Sequence, residues 1–111
     1  MAATVQDVER LEAELKGCRA VLLALGDETR QHIICTMLEL ERPGARAVEI
    51  AERANLSRPT VSHHLQILKR AGVVRARKEG SLIYYYLDPD QQAIRQLCEL
   101  ALDIQRVTAG A

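Results

Sequence analysis

SRPTVSHHLQILKRAG, residues 57–72, is the stretch from which the rest of the chain is best read. The Ser57 hydroxyl can accept from the open amides of a first helical turn, so Ser57 reads as an N-cap. Pro59 falls in that first turn, where its missing N–H costs little. Val61, Leu65 and Leu68 recur at helical spacing and give the segment one buried face. Gly72 suits the residue just past the helix end, and Lys69 and Arg70 place positive charge in the last turn, where it suits the helix dipole. The leading end carries Ser57, Arg58, Thr60, Ser62, His63 and Gln66, whose polar or cationic groups can reach base edges and phosphates. A shorter helix over Val48–Ala54 precedes it, joined through Asn55 and Leu56. Together these predict a helix-turn-helix over 47–72, with its second helix suited to a DNA major groove.

Working outward, Val73–Lys78 reads as a strand, Glu79-Gly80 as a hairpin turn and Ser81–Leu87 as the return strand. Ile83, Tyr85 and Leu87 share one face, with Tyr84 and Tyr86 on the other. Residues 73–87 then form a wing whose Arg75, Arg77 and Lys78 can clasp a nucleic-acid backbone. Asp88 and Pro89 predict the start of a last helix running to about Val107. Ile94, Leu97, Cys98, Ala101 and Ile104 lie on one side of it, and Leu100, Leu102 and Val107 widen the stripe. That is too much apolar circumference for the surface helix of a monomer.

Upstream, Val5–Leu25 reads as one helix with a heptad-like seam of Val8, Leu11, Leu15, Cys18, Leu22 and Leu25. Asp27 caps a second helix from Glu28 to about Glu41, with Ile33, Ile34, Met37, Leu38 and Leu40 on its apolar side. Arg42-Pro43-Gly44 is a turn. Ala45–Ala47 is either a short strand or the lead into the next helix. The expected fold is mainly α with a small β-hairpin, a winged helix-turn-helix of order α-α-α-α-β-β-α in a single domain over 1–111. Its first and last helices, 5–25 and 88–107, would dimerise about a two-fold axis. Two recognition helices would then lie about one DNA turn, ~34 Å, or a small multiple apart.

The charge distribution agrees. The formal net charge of the 111 residues is zero, yet residues 42–80 carry nine Lys/Arg against three Asp/Glu. Residues 1–41 carry four against eight, and 81–111 two against four. A basic middle between acidic ends makes a local field for phosphate. Three cysteines without a CxxC pair make no disulfide framework and suit a reducing, cytoplasmic setting. The opening MAATVQDVERLEAEL lacks the pattern of a signal peptide, and no apolar run approaches bilayer length, so no membrane partner is expected. G-x-S-x-G, a phosphate-binding Gly-rich loop and HExxH are all missing, which argues against an enzyme.

LGDETRQHIICTMLE, followed by S-x-P-T-V-S-H-H-L-x-x-L-x-x-A-G-x-V and R-x-x-G-x-x-x-Y-Y-x-L, resembles the ArsR/SmtB family of dimeric winged-helix repressors over roughly Leu23–Leu87. The resemblance implies a homodimer on a partly palindromic double-stranded DNA operator, released by an inducer: a metal ion, arsenite or a modified thiol. It also implies that Arg58, Ser62 and His63 face the groove, that wing cations touch phosphate, and that His64 supports the turn from inside.

The family's C-x-C arsenic motif has no counterpart at Arg46–Glu49. The last helix lacks the histidines of the family's zinc set, although Asp88 and Asp90 could begin one. No metal and no cofactor are therefore expected, and the inducer stays open. Thiol-sensing members pair a cysteine at the position of Cys35 with one that falls near Ile104, about one and a half turns beyond Cys98. Cys18, Cys35 and Cys98 are thus candidate thiol sensors. For Cys18 and Cys98 the plainer reading is a buried small hydrophobe, whereas Cys35 points well away from the apolar side of its helix. His32 lies within a turn of Cys35, but two ligands do not make a tetrahedral zinc site. Two alternatives to a specific DNA-binding repressor stay open: a winged-helix protein-interaction module, and a thiol- or arsenite-responsive sensor.

Overall fold

A computed structural model describes residues 3–40 and 42–109. Two helices stand where the seam predicts one. α1 (Val5–Gly17) and α2 (Arg19–Leu25) meet at Cys18, whose φ of −98° and ψ of 1° leave the helical region. Gly17, a poor helix former, sits at the joint. The break keeps its backbone bonds: the Cys18 N–H reaches the Glu14 carbonyl at 3.0 Å, and the Cys18 carbonyl accepts from Leu22 N–H at 2.9 Å. It turns Cys18, Val21 and Ala24 into the core and leaves Val8, Leu15 and Leu22 outside. α1 opens on a reciprocal cap, with the Thr4 hydroxyl accepting from Asp7 N–H and the Asp7 carboxylate accepting from Thr4 N–H, both at 3.0 Å.

α3 (Glu28–Glu39) is capped by Asp27 as expected. Its inward residues are Ile33, Thr36 and Met37. Leu38, expected on the apolar side, is 60 % exposed. At about 100° per residue it lies far around the helix from the line between Ile33 and Met37. Thr36 takes the inward place because its hydroxyl donates to the His32 carbonyl at 2.9 Å, so burial strands no polar group. Glu41, the expected helix end, lies outside the described residues. Ala45 forms an isolated antiparallel bridge with Tyr85, through bonds of 2.9 and 2.8 Å, which selects the short-strand reading of this segment.

α4 (Ala47–Ala54) and α5 (Arg58–Arg70) form the helix-turn-helix. Asn55 closes α4 in the left-handed region, at φ 58°. Ser57 caps α5, and Gly72 follows it at φ 81°. Ile33, Ile50, Ala51, Val61, Leu65 and Leu68 share the core beneath them.

β1 (Val74–Glu79) and β2 (Leu82–Leu87) pair antiparallel, from Val74 opposite Leu87 to Glu79 opposite Leu82. The turn is therefore Gly80-Ser81, one residue later than predicted. Gly80, at φ 62°, supplies the positive dihedral that a two-residue hairpin needs there.

α6 (Gln92–Ala109) begins after the Asp88-Pro89 signal. Asp88 does not cap a helix; its carboxylate accepts from Asp90 N–H at 3.1 Å, and Gln91 at φ 55° interrupts the path. The stripe of Ile94, Leu97, Cys98, Ala101 and Ile104 is also not the inward one. Leu100 and Asp103 are buried instead, while Cys98, Ala101 and Ile104 are exposed. The reason is tertiary: α6 packs on α1 and α2 of the same chain, and Asp103 accepts from Arg10 Nε and Nη2 at 3.1 and 3.2 Å and pairs with Arg106. No described helix is long and apolar enough to cross a membrane.

Candidate nucleic-acid interface

α5 is seated by three side chains with no exposed surface, Val61, Leu65 and Leu68. Its polar side is therefore held at a fixed orientation. The Ser57 hydroxyl accepts from Thr60 N–H at 3.2 Å and donates to the Thr60 hydroxyl at 2.7 Å. Arg58, Ser62, His63 and Gln66 are exposed along the helix, and Thr60 is half-buried. Among the described residues Arg58 is in no ion pair, so its guanidinium faces solvent uncompensated.

The hairpin stands beside this helix. Arg58 and Ser62 line a recess of about 280 Å³ together with Arg46, Ser81 and Ile83. Gln66 Nε2 donates to the Tyr85 hydroxyl at 3.4 Å, and Tyr85 is buried. Strand alternation sorts the three wing cations by face. Lys78 sits opposite Ile83 and two residues along from Ala76, on the Tyr85 side that packs toward α5. Arg75 and Arg77 oppose Tyr86 and Tyr84 on the other side.

The two arginines are also tied. Arg75 lies 3.6 Å from Asp88 and 3.2 Å from Asp90. Arg77 donates to Glu79 at 2.9 Å and to the Pro43 carbonyl at 3.2 Å, and its guanidinium stands 5.0 Å from the centre of the Tyr84 ring. Lys78 is exposed and in no ion pair among the described residues.

His64 is half-buried, but it faces the junction of α2 and α3 and not the turn between α4 and α5. Its Nδ1 lies 3.1 Å from Arg30 Nη1 and 4.0 Å from an Asp27 oxygen. Burial holds its pKa below the ordinary value, the nearby Asp27 carboxylate opposing and the Arg30 guanidinium adding to that shift. Sequence reading missed Arg30, which has a side chain only 13 % exposed and also donates to the carbonyls of Ala24 and Leu23. The available signal was an arginine three residues after a capping aspartate, but that pattern alone reads as an ordinary first turn.

The remaining candidates separate. Cys35 and Cys98 are exposed, Cys18 is buried, and all three thiols are free. Cys98 is therefore not the buried hydrophobe it resembles within one chain. His32 Nε2 lies 2.8 Å from the Ala54 carbonyl, and as a donor it closes the end of α4. Asp88 and Asp90 face Arg75. Among the described residues no three His, Cys, Asp or Glu side chains gather to hold a metal ion.

Comparison with known proteins agrees with this architecture. Residues 27–76 match the family described as "Bacterial regulatory protein, arsR family". The cadmium resistance transcriptional regulatory protein CadC homolog of Staphylococcus aureus is 42 % identical over 91 residues, covering 81 % of this chain and 71 % of the relative. The transcriptional repressor SdpR of Bacillus subtilis is 44 % identical over 69 residues, covering 61 % and 72 %. The homodimeric winged helix-turn-helix DNA-binding domain of Mb0332 from Mycobacterium bovis superposes with a TM-score of 0.63 at 25 % identity, over 95 % of this chain and 92 % of that one. With a capped, solvent-facing α5 beside a two-stranded wing, and with relatives of this similarity over most of their length, the chain belongs to the arsR family of bacterial transcriptional regulators and not to a family of enzymes.

Proposed function

We propose that the protein is a sequence-specific repressor that holds a partly palindromic operator as a homodimer. One observation carries the reading: a rigidly seated α5 exposes Arg58, Ser62, His63 and Gln66 opposite its buried stripe, with Thr60 half-buried beside them, and Arg58 and Ser62 line one recess with Ser81 and Ile83 of the wing. Ser57 adds a hydroxyl at the helix start, and Arg75 and Arg77 add cations on the opposite face of the wing, nearer its base. Small polar groups and a free guanidinium on one helix face match base edges in a major groove, while wing cations match phosphate. Exposed Val5, Val8, Leu15 and Leu22 on the outer helices, with Leu102 and Ile104 on α6, supply an apolar surface for a second copy. The homodimeric Mb0332 domain and the repressor SdpR support assembly and direction of control.

A gel shift against the DNA upstream of the protein's own coding region, with a scrambled duplex as competitor, tests this. Selective retardation at about 0.15 M salt is expected. Equal binding to both duplexes sinks the specific reading and favours an interaction module. Release through a thiol is supported by the exposure of Cys35 and Cys98. Diamide added to the complex should free the DNA, and the double variant Cys35→Ser/Cys98→Ser should resist. Release of the double variant at the same diamide concentration removes the thiol mechanism.

A further inference from the structure

We infer that Arg30 is a positioning residue for DNA recognition: its guanidinium fixes the recognition helix α5 to the end of α2. The inference rests on the DNA-binding reading above and names the part that aims the helix.

The guanidinium is a planar fork of five N–H donors. Here the fork spans three elements. Nε donates to the Ala24 carbonyl at 2.8 Å and Nη2 to the Leu23 carbonyl at 3.0 Å, both in the last turn of α2. Those carbonyls are among the ones a helix end leaves without partners. Nη1 turns the other way and meets His64 Nδ1, in the middle of α5, at 3.1 Å. The arginine itself belongs to the first turn of α3, and its own N–H is held by Asp27 at 3.0 Å. One nearly buried side chain thus joins α2, α3 and α5.

The arrangement sets orientation as well as stability. The apolar stripe of Val61, Leu65 and Leu68 keeps α5 folded on the core, but apolar packing tolerates small rolls and tilts that hydrogen bonds do not. α2 follows α1 across the break at Cys18 and packs on both α1 and α6. Through Arg30, the aim of α5 is referred to the surface proposed to join the two copies. A helix of thirteen residues is ~20 Å long, so a tilt of about 10° moves one end by roughly 3 Å, the length of a hydrogen bond.

The link also has a stated protonation state. For Nη1–H to donate, His64 Nδ1 must carry its lone pair, so the ring is neutral with its proton on Nε2. A protonated ring would set two cations in contact. The charged and titratable groups facing it are Arg30 from α3, Asp27 at the cap of α3 and, on its own helix, His63, with ring centres 5.3 Å apart. α2 presents only the carbonyls already described.

The experiment compares full-length wild type with Arg30→Lys, His64→Gln and His64→Leu, each on the upstream duplex and on a scrambled duplex. Lysine keeps the charge but not the fork. Arg30→Lys should lose about ten- to a hundredfold in affinity for the upstream duplex and stay within about twofold on the scrambled one. His64→Gln keeps an oxygen acceptor and should bind within about threefold of wild type at pH near 7.5, yet lack the wild-type fall in selectivity toward about pH 5.5. His64→Leu removes the acceptor without touching Arg30, so it serves if Arg30→Lys does not fold, and it should lose selectivity in the same way. Wild-type selectivity from Arg30→Lys or His64→Leu, equal loss on both duplexes, or an unchanged pH profile in His64→Gln overturns the inference. If wild type selects neither duplex, the DNA reading fails, and amide exchange then decides the positioning role. Faster exchange in α5 of Arg30→Lys supports it, and unchanged exchange refutes it.

Discussion

Lys78 shows how one residue's place on a strand decides what its charge is worth. Arg75 and Arg77 have carboxylates within 3.6 Å, whereas Lys78 faces the α5 side without one among the described residues. A cation already neutralised by its own chain has less to offer a phosphate. Lys78→Ala should therefore lower the slope of log affinity against log salt by about one, and Arg75→Ala by clearly less, in a salt titration by fluorescence anisotropy. Arg58→Ala or His63→Ala should cost about 1–3 kcal/mol on the operator and much less on scrambled DNA, as competition binding would show. His64 gives a pH dependence of known sign. Its folded pKa lies below the ordinary 6.5, so its neutral form is the one that suits the fold. The stability present above pH 6.5 is lost as pH falls toward the depressed folded value. Urea midpoints should drop over that range in wild type and less in His64→Gln.

At the scale of the element, local chemistry was easy to read where a cap or a glycine settled the matter. Ser57, Asp27 and Gly72 sit where their residue types direct. Ser57→Ala removes an acceptor from the first turn of α5 and should cost about 1 kcal/mol. Gly72→Ala should cost about 1–2 kcal/mol in chemical denaturation, because φ is 81°. Its added Cβ would meet Ala93 at an ordinary 3.5 Å, so the loss comes from backbone strain and not from crowding. The misreadings are equally local. The seam from Val8 to Leu25 fits one helix or two, and only Gly17 hinted at the joint. Asp88-Pro89 has the composition of a helix start, but Asp88 spends its carboxylate on Asp90 N–H and Arg75, and the helix begins at Gln92.

For the whole molecule, the decisive feature is the apolar surface left on its outer helices. Val5 is 74 % and Leu102 64 % exposed, values that suit a surface awaiting a partner. On the homodimer proposed above, Val8→Glu and Leu102→Glu should shift sedimentation from dimer to monomer and weaken operator binding at least tenfold, since the two half-sites would then be bound separately. An unchanged dimer in both variants would move the interface elsewhere.

The order of elements, the helix-turn-helix, the wing and the polar face of α5 follow from the linear chain, because caps, turns and side-chain periods depend on neighbours a few residues apart. The inward stripe of α6, the tying of Arg75 and Arg77, and the Arg30–His64 contact were settled only by folding. Each depends on groups far apart in sequence, such as Arg10 with Asp103 or Arg30 with His64, and no short-range pattern encodes which distant partner packing will bring within hydrogen-bond reach.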